Sequence, residues 1–556
     1  MSQPDNLRGG GRELPATSPF DNRWAIPAAV LLYVFHAVLA LPLTGLQYDE
    51  LLHLAPILPP ERVFGTIRFG DTVLPSMLLP YLGCLKTWLV WPWIELLPRS
   101  PESIRIPAIL VGAAALALSA IVLKRLAGPT VAGLTALLAA TDTTFVFCTT
   151  YDWGPVGLQL LVLAGVAWSA IRFHESGAAK WAGLSALLVG LAIWNKALAL
   201  WMLSSLGLVI LLLVPDALRR WLRPTPLAAV ILCFVLGAYP FLAWNKKNQL
   251  STFRENRGVS LAGLAEKTGA ARVALDGSQF LGYMVREDIP AVRGAASVVP
   301  LLHAAKQAGW RFGNGIVFAL MLSLLAGPLL LRGPRLRLWL GMLMALAFAL
   351  FQMMVTNGAG TGMHHYVLLF PLPFVVIAMP LAALVERRGV WRKAGLLAAT
   401  ALVSCSAVAL HAQFTALRAW GPTPIWSTAI TDLVATLRQA GARHVWALEW
   451  GTDSQLRYLL PPAAQGGLGY EFLDAARIPD DVRLVHLARL REANTFYVRY
   501  EAPHPMHSAL ADRFRAFAQT EGFDEETVAI VHDAWGVPIY RVLRYRSAAL
   551  PATGAL

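Results

Sequence analysis

Trp24-Ala-Ile-Pro-Ala-Ala-Val-Leu-Leu-Tyr-Val-Phe-His-Ala-Val-Leu-Ala-Leu-Pro-Leu43 runs directly into Thr44-Gly-Leu-Gln-Tyr-Asp49-Glu50. The apolar run carries no charge and is long enough to cross a bilayer, for which about 20 residues suffice. The two carboxylates that follow it therefore sit where hydrocarbon gives way to water. Some 23 mostly polar residues precede the run, with Arg8, Arg12 and Arg23 among them, so the segment reads as a retained anchor rather than a cleaved signal.

The rest of the chain repeats this texture. Of its 556 residues, 56% are hydrophobic and only 15% are charged, against about 25% charged in soluble domains. About eleven apolar spans are expected, near 24–45, 106–123, 129–147, 154–172, 181–195, 198–214, 226–244, 314–331, 337–355, 366–385 and 394–412. The formal charge of +13 falls largely in short gaps between spans, so it marks membrane topology and not a nucleic-acid surface. With the N-terminus (1–23) in the cytoplasm, the inner gaps hold Lys124-Arg125, Arg172 and Lys180, Arg219 to Arg223, Arg332 to Arg337, and Arg387 to Lys393, while the short gaps 148–153 and 356–365 hold no Lys or Arg. The fifth and sixth spans, meeting at Trp194-Asn195-Lys196, are short enough to be one broken helix; counting them as two keeps the charge alternation.

The expected fold is thus an α-helical polytopic membrane protein (24–412) with two long outer loops, about 46–105 and 245–313, the first holding interfacial amphipathic helices. From 413 to 556 charge rises, and helical patterns (432–440, 510–520) alternate with strand-like runs (444–449, 495–499, 528–531, 538–545). This predicts a small α/β domain on the outer side. Cys84, Cys148, Cys233 and Cys405 show no metal or redox spacing; a Cys84–Cys148 disulfide is a minor alternative.

Several residues at the span ends can carry chemistry. Asp49 and Glu50 offer a base at the rim of the bilayer, or simply a solvated loop start. Asp152, in Cys148-Thr-Thr-Tyr-Asp-Trp-Gly-Pro155, is a second carboxylate on the same side, or a helix cap. Asp142 lies ten residues earlier, at membrane depth. Lys196 suits a lipid phosphate, or snorkels to the interface. His364, His365 and Tyr366, in Gly362-Met-His-His-Tyr366, can donate to phosphate, or belong to an interfacial belt. Arg105, Arg62 and Arg68 are further phosphate contacts or interface anchors. Adjacent histidines without a third ligand do not favour a metal, so no cofactor is required, with a divalent ion as the open alternative.

Taken in order, these features resemble the GT-C superfamily of polyprenyl-phosphate-sugar glycosyltransferases, nearest the bacterial family 39 type related to protein O-mannosyltransferases and the lipid A aminoarabinose transferase. The likeness rests on Asp49-Glu50 after the first span, Arg105-Ile-Pro107, Thr141-Asp142, Asp152-Trp-Gly-Pro155, Gly190 to Lys196, and His365-Tyr366 with Pro371. It covers about residues 24–412. The resemblance implies an inverting transfer from a polyprenyl-monophosphate sugar to a lipid, glycan or protein acceptor, at the outer face of a bacterial inner membrane. It makes Asp49 the catalytic base with Glu50 beside it and Asp152 the second-loop acid, with Lys196, His365 and Tyr366 as donor-phosphate contacts. His364-His365-Tyr366 departs from the family's frequent Arg-Tyr, and the C-terminal region lies outside the shared core. Rival readings are a transporter or flippase of lipid-linked saccharide, a membrane-anchored scaffold, and a GT-C oligosaccharyltransferase with a pyrophosphate carrier. The midspan stretches are nearly free of charge, which is unlike a transporter.

Overall fold

The computed structural model describes residues 23–58, 63–256, 258–261, 263–278, 283–286, 313–356, 362–449, 451–460, 465–468, 480–501 and 508–547. Its main body is a bundle of apolar helices. Six are long and apolar enough to cross a membrane: Ala25–Leu43, Pro101–Ala127, Val156–Ser176, Pro224–Lys247, Gly333–Val355 and Val390–Trp420. Shorter apolar helices, Ala199–Leu213, Ile316–Leu330 and Leu372–Val385, lie among them, together with the 17-residue Ala179–Asn195. Every span expected from hydropathy contains an apolar helix, although in the tenth, 366–385, that helix covers only Leu372–Val385. The fifth and sixth are the helices Ala179–Asn195 and Ala199–Leu213, interrupted at Lys196.

The third expected span differs. It is two helices, Pro129–Thr141 and Thr143–Thr150, bent by 66°. Asp142 makes the break: its backbone turns extended, and its carboxylate accepts from the Phe145 N–H at 2.7 Å as an N-cap. A capping residue inside an apolar run is invisible to hydropathy. The last helix also runs on to Trp420, past the 412 boundary read from sequence.

Close helix contact in a membrane relies on small residues. Helices Ala179–Asn195 and Pro224–Lys247 meet through Gly190 and Gly237. A Cβ on Gly190 would stand 2.6 Å from the Ala238 nitrogen, and one on Gly237 would stand 2.3 Å from the Leu187 carbonyl oxygen.

The loop after the first helix is not only helical. Tyr48–Leu51 and Leu85–Leu96 are helices, but between them strands β1 (Gly65–Phe69), β2 (Thr72–Leu79) and β3 (Leu82–Gly83) form an antiparallel sheet. These strands are short and β2 contains Pro75, so they give a weak sequence signal. The C-terminal region is a mixed sheet in the order β5-β4-β6-β8-β7, with β4 His444–Ala447, β5 Gln465–Leu468, β6 Thr495–Tyr500, β7 Phe523–His532 and β8 Pro538–Ser547. Helices Ala429–Gln439 and Ser508–Thr520 stand near their expected places. Thr452–Leu459 and Asp480–Arg491 are additional. All four cysteines are free.

This sheet domain is fastened to the first loop. Gln455 Nε2 donates to the Leu46 carbonyl at 2.5 Å, Arg457 to the Leu58 carbonyl, and the Tyr458 hydroxyl to the Ser100 carbonyl at 3.2 Å. The Gly45 N–H donates to the Trp426 carbonyl at 2.7 Å. A side chain at Gly45 would put its Cβ 2.0 Å from the Ser427 carbonyl oxygen.

Candidate active site

Helix Tyr48–Leu51 opens with a capping box. Gln47 Oε1 accepts from the Asp49 N–H at 2.5 Å, and Glu50 Oε1 accepts from the Gln47 N–H at 2.9 Å. This turn sends the two adjacent acids in different directions. Glu50 is sealed inside the protein, 1% exposed. It meets Arg105 through two bonds, Nε to Oε2 at 2.7 Å and Nη2 to Oε1 at 2.8 Å. Arg105 spends its other donors on the carbonyls of Leu41, Thr44 and Gly45, and lies over the Tyr151 ring at 4.5 Å. The guanidinium is thus consumed in tying the first helix to the second and to the loop. That geometry leaves no donor of Arg105 aimed at a phosphate.

Asp49 remains partly exposed. Its Oδ2 accepts from Trp153 Nε1 at 2.8 Å, and the charges of Lys196 and Lys86 act on it. Burial raises its carboxyl above the ordinary range; the Trp153 bond and the two lysines oppose that rise. Trp153 anchors an aromatic wall built from distant segments, with Tyr283 at 5.0 Å, His364 at 5.6 Å and Trp426 at 5.2 Å between ring centres.

Asp152 precedes Trp153 with its backbone at φ 45°, a region Asp tolerates better than most residues. It does not cap the next helix, which starts from Pro155 with no side-chain cap. It pairs instead with Lys86, both side chains under 10% exposed. Burial raises the Asp152 carboxyl, opposed by Lys86. A cavity of about 60 Å³ adjoins this pair, its lining including Glu50, Lys86 and Asp152 together with the apolar Leu89, Val90 and Ile94.

Lys196 is placed by its backbone. It is the C-cap of Ala179–Asn195, where the helix dipole favours a cation. It bridges to Leu82, and the Ala197 N–H donates to the Tyr81 carbonyl at 2.9 Å. Trp194 Nε1 donates to the Ser76 carbonyl at 2.8 Å. Only glycine fits at 83, because a Cβ there would lie 2.0 Å from the Trp194 carbonyl oxygen. Lys196 is 3% exposed, and no carboxylate lies within ion-pair distance of it among the described residues. Burial lowers its ammonium to about 8, with the Asp49 charge working the other way.

His364 and His365 join this group. Their rings stand 4.3 Å apart. Burial and the nearby Lys196 charge hold His365 down to about 3 and His364 well below its usual value, so both are neutral at pH 7. Tyr366 turns away, its hydroxyl donating to the Lys267 carbonyl at 3.0 Å. It shares a separate cavity with Asp142, whose second oxygen accepts from Asn314 Nδ2 at 2.7 Å. Arg68 is exposed on β1, and Arg62 lies outside the described residues. Among the described residues, no three His, Cys, Asp or Glu side chains are grouped to hold a metal ion.

Two members of the site carried no sequence signal. Lys86 lies between Cys84 and Trp88 in the first loop, with no carboxylate near it in sequence to mark it. His53, four residues beyond Asp49, is fully buried, and neither ring nitrogen has a hydrogen-bond partner among the described residues. Burial and the charges of Lys86 and Lys196 keep its imidazole neutral.

Comparisons with known proteins agree with this fold. Residues 83–244 match the family described as dolichyl-phosphate-mannose-protein mannosyltransferase; this segment includes Lys86, Asp152 and Lys196 but not Asp49. The chain resembles the crystal structure of ArnT from Cupriavidus metallidurans bound to undecaprenyl phosphate, with TM-score 0.50 and 14% identity, over 93% of this chain and 97% of that one. It also resembles the apo state of the same protein, with TM-score 0.51 and 13% identity, over 95% and 98% of the two chains. No curated protein matches the sequence. The chain thus shares the fold of ArnT, and less than a third of its length matches the mannosyltransferase family.

Proposed function

We propose that the protein transfers a sugar from a polyprenyl-monophosphate carrier to a hydroxyl or amine acceptor at the outer face of the membrane, with inversion and with Asp49 as general base. One observation carries this reading: a partly open carboxylate stands beside two buried lysines, one of them without an ion-pair partner. An ammonium buried in this way is costly unless it binds an anion. The fold is shared with ArnT crystallised with undecaprenyl phosphate, which is the kind of anion such a site suits.

In this reading Lys196 and Lys86 hold the donor phosphate, and Lys86 exchanges its Asp152 pairing for it. The apolar cavity beyond Lys86 takes part of the carrier's chain. His53, His364 and His365, all neutral, donate to phosphate or sugar oxygens. Asp49 Oδ1 takes the acceptor's proton as the acceptor attacks the anomeric carbon. The departing phosphate needs no proton because the lysines hold its charge. Trp153 fixes the other oxygen of Asp49 and offers a ring to the sugar. Glu50 and Arg105 position the helix that carries the base. Asp142 and Tyr366 support the bend of the third span.

The test is incubation of the purified protein with a panel of polyprenyl-phosphate sugars and candidate acceptors, following release of polyprenyl phosphate. Asp49→Asn should lose about 10²–10⁴-fold in turnover, the usual worth of a general base, while melting like the parent. Near-normal turnover in that variant removes the base.

A further inference from the structure

A second basic cavity, of about 460 Å³ and without Asp49 in its lining, lies where helix Pro224–Lys247 ends. Its cationic lining residues are Lys247 and Arg254, both exposed, and none of its lining residues is acidic. Trp244 and Phe64 form its aromatic side, edge to face at 6.4 Å.

The cavity is built rather than incidental. Gln249 and Leu250 both adopt positive φ, 52° and 57°, a conformation unfavourable for side chains other than Gly, Asn or Asp. The tight turn is fastened by the Leu250 N–H to the Asn245 carbonyl at 2.8 Å and by Asn248 Nδ2 to the Trp244 carbonyl at 2.9 Å. Trp244 Nε1 donates to the Ser251 hydroxyl at 3.0 Å, and Thr252 donates to the Pro80 carbonyl. Arg254 Nη1 reaches Gln249 Oε1 at 3.2 Å.

Its position relative to the bilayer follows from the helix. Lys246 and Lys247 close a membrane-spanning segment, so the cavity lies at headgroup depth. Large apolar side chains surround it in the open: Phe64 at 58%, Leu250 at 57% and Phe253 at 47% exposure. Cations at headgroup level with apolar residues beside them match a lipid whose head is anionic and whose chains run down the helix.

We infer that this cavity binds the phosphate headgroup of an anionic membrane phospholipid, with Lys247 and Arg254 as its charge partners. The site is distinct from the Asp49 cluster but adjoins its scaffold. Pro80 lines the cavity, and the next residue, Tyr81, accepts from Ala197 beside Lys196. An occupied cavity therefore braces the turn that holds Lys196.

Thermal unfolding of the full chain in nanodiscs provides the test, and it does not depend on transfer activity. Phosphatidylglycerol discs should raise Tm above phosphatidylcholine discs for the parent. Lys247→Gln/Arg254→Gln should melt like the parent in phosphatidylcholine and lose about half or more of the phosphatidylglycerol shift. The control Arg387→Gln/Lys393→Gln, at the opposite end of the bundle, should keep it. An unchanged shift in the first variant, or an equal loss in the control, overturns the proposal. A comparable stabilisation by inorganic phosphate in detergent, abolished by the same variant, overturns the lipid assignment.

Discussion

Asp49 and Glu50 are adjacent and chemically alike, yet their surroundings give them different roles. One capping turn seals Glu50 against Arg105 and leaves Asp49 open to Trp153 and the lysines. Two predictions follow at this scale. The profile of kcat/KM against pH should be bell-shaped, since that parameter reports the free enzyme. In the proposed mechanism Asp49, raised by burial, loses its proton to act, so the rate should climb with pH through a value above the ordinary carboxylate range. In the same mechanism Lys196, lowered to about 8, keeps its proton to hold phosphate, so the rate should fall above that pH. Lys196→Arg should remove the alkaline limb, because guanidinium stays charged; a limb left in place would assign it to another group. Glu50→Gln should act on stability, since breaking a buried pair costs about 3–5 kcal/mol. A large loss of Tm and yield is expected, and a stable but inactive variant would return Glu50 to the chemistry.

At the scale of elements, the site depends on two close approaches that only glycine permits. Gly83 lets β3 lie on the end of Ala179–Asn195, which presents Lys196, and Gly237 lets that helix sit against its neighbour. Gly237→Ala should destabilise by about 1–3 kcal/mol, typical of overpacking, read as a lower Tm in nanodiscs. Because the displaced helix carries Lys196, KM for the lipid donor should rise with it. Helix existence was legible throughout the bundle, since apolar runs of this length have few alternatives in lipid. The first-loop sheet was not legible. Its strands gain stability from contact with Trp194 and Trp244, and a sequence window does not contain those partners.

For the whole molecule, the sheet domain is not a detachable accessory. Trp426 closes the wall on Trp153, and Gln455 and Arg457 hold the loop that bears Asp49. Arg286 and Asp533, buried and paired at 2.6 Å, tie the second loop to the same domain. A chain ending at Trp420 should insert into membranes but lose most transfer activity and melt at lower temperature. Full activity in that truncation would show the fastening to be dispensable.

Composition and hydropathy alone determined a many-spanning helical bundle, and the order of acids and Lys196 at the span ends drew attention to one end of it. Burial in lipid selects apolar runs so strongly that position along the chain is enough to find them. Only the tertiary structure decided which of those polar residues meet. It divided Asp49 from Glu50, moved Asp142 and Tyr366 to another cavity, and brought in Lys86 and His53. Charge placement at a site is set by contacts between segments far apart in sequence, here the first loop, the bent span, Lys196 and Trp426, and no local pattern encodes such contacts.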